Sequence, residues 1–202
     1  MLADSAPRTR AEWHASRTEH LCTRGARFVT GSDIVRLSRA LALEPWHMTQ
    51  TAPAAADDPT GIVTDGGRRR VNLRLANGPN GCVFLLRTSG GLGHCGLGEL
   101  APVSCRSFPA HLAEGIPPAS SKPQVGSRQL TEEDLDQEML ARAKRDWSAD
   151  RDHWFEVVKR WNALSEESES DDEPGIRDFQ RYLLESHAAR EAGTAWPGEG
   201  TP

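Results

Sequence analysis

Val71-Asn-Leu-Arg-Leu-Ala-Asn-Gly-Pro-Asn-Gly-Cys-Val-Phe-Leu-Leu86 alternates, turns, and starts again on a cysteine. Val71, Leu73 and Leu75 alternate with Asn72 and Arg74, the period of a strand with one buried face. Gly78-Pro-Asn-Gly81 is rich in turn-forming residues. Cys82-Val-Phe-Leu-Leu86 then reads as a second short apolar strand. The expectation is a β-hairpin whose second strand opens with Cys82.

On the N-terminal side, Ile34, Leu37 and Leu41 form a helical stripe. Thr30 or Ser32 can cap that helix, and Asp33 suits its positive end. Glu44-Pro45 is expected to end it. Thr51 to Gly67 is rich in Ala, Pro, Gly and Asp and reads as a loop or lid. On the C-terminal side, Gly90, Gly91, Gly93, Gly96 and Gly98 surround Cys95, which predicts a tight loop rather than a helix or strand. Cys105-Arg-Ser-Phe-Pro109 closes this region.

Beyond a proline-rich connection, Thr131-Glu-Glu-Asp134 has a capping-box pattern. Leu135, Met139, Trp147, Trp154, Val158 and Trp161 carry a helix from it, with a break expected near Ser148. At that spacing the tryptophans read as core. Ser165 to Glu173 reads as an acidic linker, and Ile176, Phe179 and Leu183 mark a last helix. The fold expected is α+β: a small irregular cysteine-rich metal domain over residues 15–125, with a β-hairpin and helices, and a helical C-terminal extension over 130–192. Residues 1–14 and 193–202 read as disordered tails.

The chain has 202 residues, a net charge of −5 and a hydrophobic share of 37%. No apolar run approaches a membrane span, so no membrane partner is expected. The absence of a basic stripe argues against nucleic acid. Met1 to Glu12 has no apolar stretch behind Arg8 and Arg10, so no secretory signal is expected. The expected compartment is the cytoplasm, where thiols stay reduced.

That bears on the four cysteines, spaced C-x59-C-x12-C-x9-C at Cys22, Cys82, Cys95 and Cys105. They could be core residues, surface thiols or disulfides. No C-x2-C pair is present, so this is not an ordinary zinc finger. Four thiolates complete a tetrahedral site for zinc or an iron–sulfur cluster with no ligand left over. Glycines round Cys95 leave backbone amides free to point at sulfur. His94 and Arg106, each next to a cysteine, are candidates for the layer just outside the ligands. Arg106 could offset thiolate charge or anchor its loop to a carboxylate.

In order and separation, Cys22, Asp33-Ile-Val-Arg-Leu37, Cys82-Val-Phe-Leu85, Cys95 and Cys105-Arg-Ser-Phe-Pro109 resemble the YkgJ-type cysteine-cluster family, described as zinc- or iron-chelating domains. The resemblance covers residues 18–112. It departs in the first cysteine group, where only Cys22 remains and Leu21 and Arg24 stand nearby, and in Ala101-Pro102 where the family has Arg-Pro. It implies a metal centre on the four cysteines, and the depleted first group limits this to one.

Three functions follow as expectations. The first is a metal-binding protein with a structural, redox or metal-handling role, since a closed site leaves no open position for substrate. The second is an iron–sulfur enzyme modifying a protein or small molecule, by analogy to flagellin lysine N-methylases. The third is a metal-stabilised interaction or regulatory module that uses the tryptophan-bearing helices. The chain carries no nucleotide fingerprint, HExxH or nucleophile elbow.

Overall fold

The computed structural model describes residues 20–23, 25–87, 89, 93–108, 110, 133, 136–167 and 174–198, and the backbone of 124–125 and 128–129. Helices combine with small antiparallel sheets, an α+β architecture with a helical C-terminal region. The chain divides into two compact units, Met1–Val29 with Arg74–Ala149 and Thr30–Leu73 with Asp150–Pro202. Neither unit is a continuous stretch.

In the unit containing Thr30–Leu73, α1 spans Gly31–Leu41. Thr30 caps it: its hydroxyl accepts the Asp33 N–H at 3.2 Å, and the Asp33 carboxylate accepts the Thr30 N–H at 3.2 Å. Ser32, the other candidate cap, donates its hydroxyl to the buried Asp150 instead. Ala42 ends the helix in the left-handed conformation, at φ 52°. Pro45 therefore does not stop α1 but opens α2, Pro45–Met48, where its missing N–H costs nothing.

The region expected as a loop over Thr51 to Gly67 contains strand residues. β1 (Thr49–Pro53) and β2 (Ile62–Thr64) flank β3 (Arg69–Leu75) in a three-stranded sheet. β2 and β3 run antiparallel, with Ile62 opposite Val71 and Thr64 opposite Arg69. Asn72, expected on a solvent face, is buried; its amide donates to Asp58 at 2.7 Å and its oxygen accepts from Thr60 at 3.2 Å. Short strands gain enough from non-local pairing to override a loop-like composition.

Two long helices follow, α4 (Gln137–Glu167) and α5 (Ile176–Ala192). Residues 131, 132 and 134 of the expected capping box lie outside the described residues, as does residue 135. Asp136 accepts the N–H groups of Glu138 and Met139 at 3.0 and 3.2 Å. No break occurs near Ser148, whose hydroxyl is absorbed by the Lys144 carbonyl at 2.9 Å. α4 continues through Ser165, and residues 168–173 of the expected linker lie outside the described residues. Within the second unit, Trp154 and Trp161 pack on Phe179 with ring centroids 6.0 and 5.5 Å apart. Trp161 donates its indole N–H to the Val63 carbonyl at 2.8 Å, so the tryptophans of this stretch are core, as their spacing predicts. The tail region expected over 1–14 lies outside the described residues, as do residues 199–202.

In the other unit the hairpin pairs differently from expectation. β4 (Asn77–Gly78) and β5 (Gly81–Cys82) form a two-residue ladder, with Asn77 opposite Cys82. Val83 and Phe84 turn the chain again, and β6 (Leu85–Arg87) pairs forward with β7 (Gly93–Cys95). The glycine-rich segment at Cys95 is thus partly a strand. A 3₁₀ turn at Gly98–Leu100 leads into α3, Val103–Ser107. The backbone of β8 (Gln124–Val125) and β9 (Arg128–Gln129) makes a further small ladder. Among the described residues no helix is long and apolar enough to cross a membrane.

Candidate metal centre

All four cysteines fall in the same unit, on separate pieces of chain. Cys22 sits in a helical turn over residues 20–23, Cys82 in β5, Cys95 in β7 and Cys105 in α3. Cys22, Cys82 and Cys105 are buried and Cys95 is half-buried; none is in a disulfide.

Glycine brings the first two together. Gly81 has φ 109°, a conformation side chains rarely adopt, and a Cβ there would stand 2.4 Å from the Cys22 carbonyl oxygen. Only a residue without a side chain lets β5 lie this close to the Cys22 turn. On the other flank, the Gly96 N–H donates to the Phe84 carbonyl at 2.8 Å, fixing β7 and Cys95 beside the chain that follows Cys82. Cys105 is held by α3: its N–H donates to Pro102 at 2.9 Å, and the Ser104 hydroxyl donates to Phe28 at 2.5 Å.

The thiols feel one another. The Cys22 thiol is pushed far above the usual thiol range by its hydrogen bond to Cys82, then by burial and by the charges of Cys105, Cys82 and Cys95. Cys82 is lowered to about 6, first by the hydrogen bond from Cys22. The Phe84 N–H and the Arg27 guanidinium lower it further, while burial opposes them. An amide aimed at sulfur from two residues along is a common support for metal-bound thiolate.

Arg27 was not singled out by sequence reasoning. It is 1% exposed and donates to the carbonyls of Leu21, Cys22 and Gly25 at 2.9, 3.1 and 2.6 Å, and to the Asn77 side chain. The available signal was a lone arginine in Ala26-Arg27-Phe28-Val29, five residues after Cys22. Arg106 is buried too, but it pairs with Asp146 at 2.7 Å and donates to the Ala101 carbonyl at 3.0 Å. His94 is exposed, opposite Leu86 in the β6–β7 ladder.

Four cysteines outside disulfides, three of them buried, are the type of donor that a thiophilic ion or cluster takes. The arrangement is not a finished shell. Among the described residues no group of three or more His, Cys, Asp or Glu is already disposed to hold a metal ion. A metal would have to displace the proton that these surroundings favour on Cys22. Comparison with known protein families, with characterised proteins and with solved structures returns no match for this chain.

Proposed function

We propose that the chain is a metal-binding protein that holds one zinc ion or one iron–sulfur cluster on Cys22, Cys82, Cys95 and Cys105, with a structural, redox or metal-handling role. What supports this is that the four cysteines lie on four separate elements of one unit, near enough for the charges of Cys105, Cys82 and Cys95 to raise the Cys22 thiol. Zinc would supply a rigid cross-link between these elements, and a cluster would supply one-electron exchange. The protein supplies burial, the Phe84 amide and the Arg27 cation. The resemblance to YkgJ-type domains points the same way, and reduced thiols suit a cytoplasmic setting.

The test is metal and sulfide analysis, with a visible spectrum, on full chain purified without oxygen. Near-stoichiometric metal is expected; brown, sulfide-containing protein means a cluster and colourless protein with zinc means a structural ion. Cys105→Ser should sharply lower metal content and melting temperature, because structural metal binding is coupled to folding. Metal-free protein that folds normally would sink the reading.

The enzyme reading has one observation in its favour. A pocket of about 280 Å³ is lined by Glu99, Asp136, Glu138, Arg142 and Arg106, the residue that follows Cys105, among others. The interaction-module reading cannot use Trp147, Trp154 or Trp161 as a ready-made platform, since all three are buried.

A further inference from the structure

The guanidinium of Arg27 is held entirely inside the protein, and its recorded hydrogen-bond acceptors are all uncharged. Three are backbone carbonyls and the fourth is the Asn77 amide oxygen. Its Nε has no hydrogen-bond partner among the described residues. Among the described residues no carboxylate pairs with it. Arginine does not shed its proton in a protein, so this charge cannot be neutralised where it stands. A buried charge is tolerated when an opposite charge lies close by.

The segment that carries Cys82 lies within reach of this charge. The contacts also span the site. Nη1 grips the carbonyls of the turn that carries Cys22, and Nη2 reaches Asn77, which faces Cys82 across the β4–β5 ladder. One side chain therefore ties the two ligand-bearing segments together and places a cation between them. Four thiolates carry more negative charge than a divalent core neutralises, so such a centre calls for a buried cation. Arg106 is the other buried arginine beside a cysteine, and its charge is engaged by Asp146.

We propose that Arg27 is the charge-compensating and positioning residue of the four-cysteine centre, clamping the Cys22 turn to the strand of Cys82 and supplying the cation that a metal–thiolate group requires. This rests on the metal-binding reading above.

The test uses the full chain, reduced and metal-free, with cobalt(II) as probe. Thiolate-to-cobalt absorption reads the site, and competition with a chelator gives the affinity. The variants are Arg27→Gln, Arg27→Lys, Asn77→Asp and Cys105→Ser. Arg27→Gln should weaken cobalt binding by about tenfold or more, the usual effect of losing such a supporting group. Arg27→Lys, which keeps the charge but not the fork, should recover part of that loss. Asn77→Asp hands the guanidinium a carboxylate and should also weaken binding, although Arg27 is intact. A clamp with no electrostatic role would leave Asn77→Asp at full affinity, so this variant decides the matter even where Arg27→Gln fails to fold. Full cobalt affinity in Asn77→Asp, or in folded Arg27→Gln, overturns the inference. If the unaltered chain binds cobalt and Cys105→Ser does not, the metal-binding reading survives that result. If the unaltered chain takes up no cobalt, both fall.

Discussion

Gly81→Ala should be among the most damaging small substitutions in the unit that holds the cysteines. Two costs add. The backbone at Gly81 sits at φ 109°, and holding a non-glycine residue in such a region costs about 1–3 kcal/mol. The new methyl would also lie 2.4 Å from the Cys22 carbonyl oxygen and 3.0 Å from the Thr23 Cα. Neither neighbour is the end of a flexible side chain. The Cys22 carbonyl is held by Arg27 at 3.1 Å, and the same turn is closed by the Gly25 N–H donating to Leu21 at 2.9 Å. Relieving the overlap costs a further 1–3 kcal/mol or so. A total of about 2–6 kcal/mol lowers the melting temperature by roughly 4–24 °C in a chain of this size. Gly98→Ala is the control: φ is 51° there and nothing lies within 4 Å of the added atom. It should cost only about 1 kcal/mol, or roughly 2–4 °C. The assay is thermal unfolding of the reduced protein followed by circular dichroism, with cobalt uptake measured beside it. Gly81→Ala should lose both stability and uptake, because Cys22 is pushed away from Cys82. A variant that melts no lower than Gly98→Ala would refute the close approach of β5 to the Cys22 turn.

Acid should weaken the fold through a histidine pair. His153 and His187 pack with ring centroids 4.6 Å apart, and the Nε2 of each is buried with no hydrogen-bond partner among the described residues. Burial lowers both, His153 to about 4, while the nearby Asp150 opposes the shift. The folded state thus binds fewer protons than the unfolded one, so this stability is complete above about pH 6.5 and is lost as the pH falls toward 4. Allowing for solvent at the half-exposed His153, about 1–2 kcal/mol is at stake. His153→Phe should flatten the acid limb of a plot of melting temperature against pH, and an unchanged limb would count against the pair. Trp161→Phe removes the indole donor that meets the Val63 carbonyl at 2.8 Å and leaves space behind. The expected loss is about 2–4 kcal/mol, read as a lower urea midpoint at unchanged slope. A midpoint equal to that of the unaltered chain would remove this bond from the account.

Local physics in the sequence determined a good deal of this protein. The Thr30–Asp33 cap and the stripe of Ile34 and Leu37 specify α1 because every contact they need lies within a few residues. Ile176, Phe179 and Leu183 do the same for α5, and the helical spacing of Trp154 and Trp161 told that they are core. Tertiary structure decided what depends on distant partners. Val71 to Leu75 looks ready to pair with residues 82–86, yet β3 lies between β1 and β2, because strand pairing is settled by whichever edge is brought to it. The turns at Gly81 and at Val83-Phe84 then leave β5 and β6 to other partners, and this draws Cys82 to Cys22 and Cys95 toward both. The burial of Arg27 could not be read in advance for the same reason. An arginine in a sequence is by default a solvated charge, and only folding shows that this one is sealed in with carbonyls and an amide.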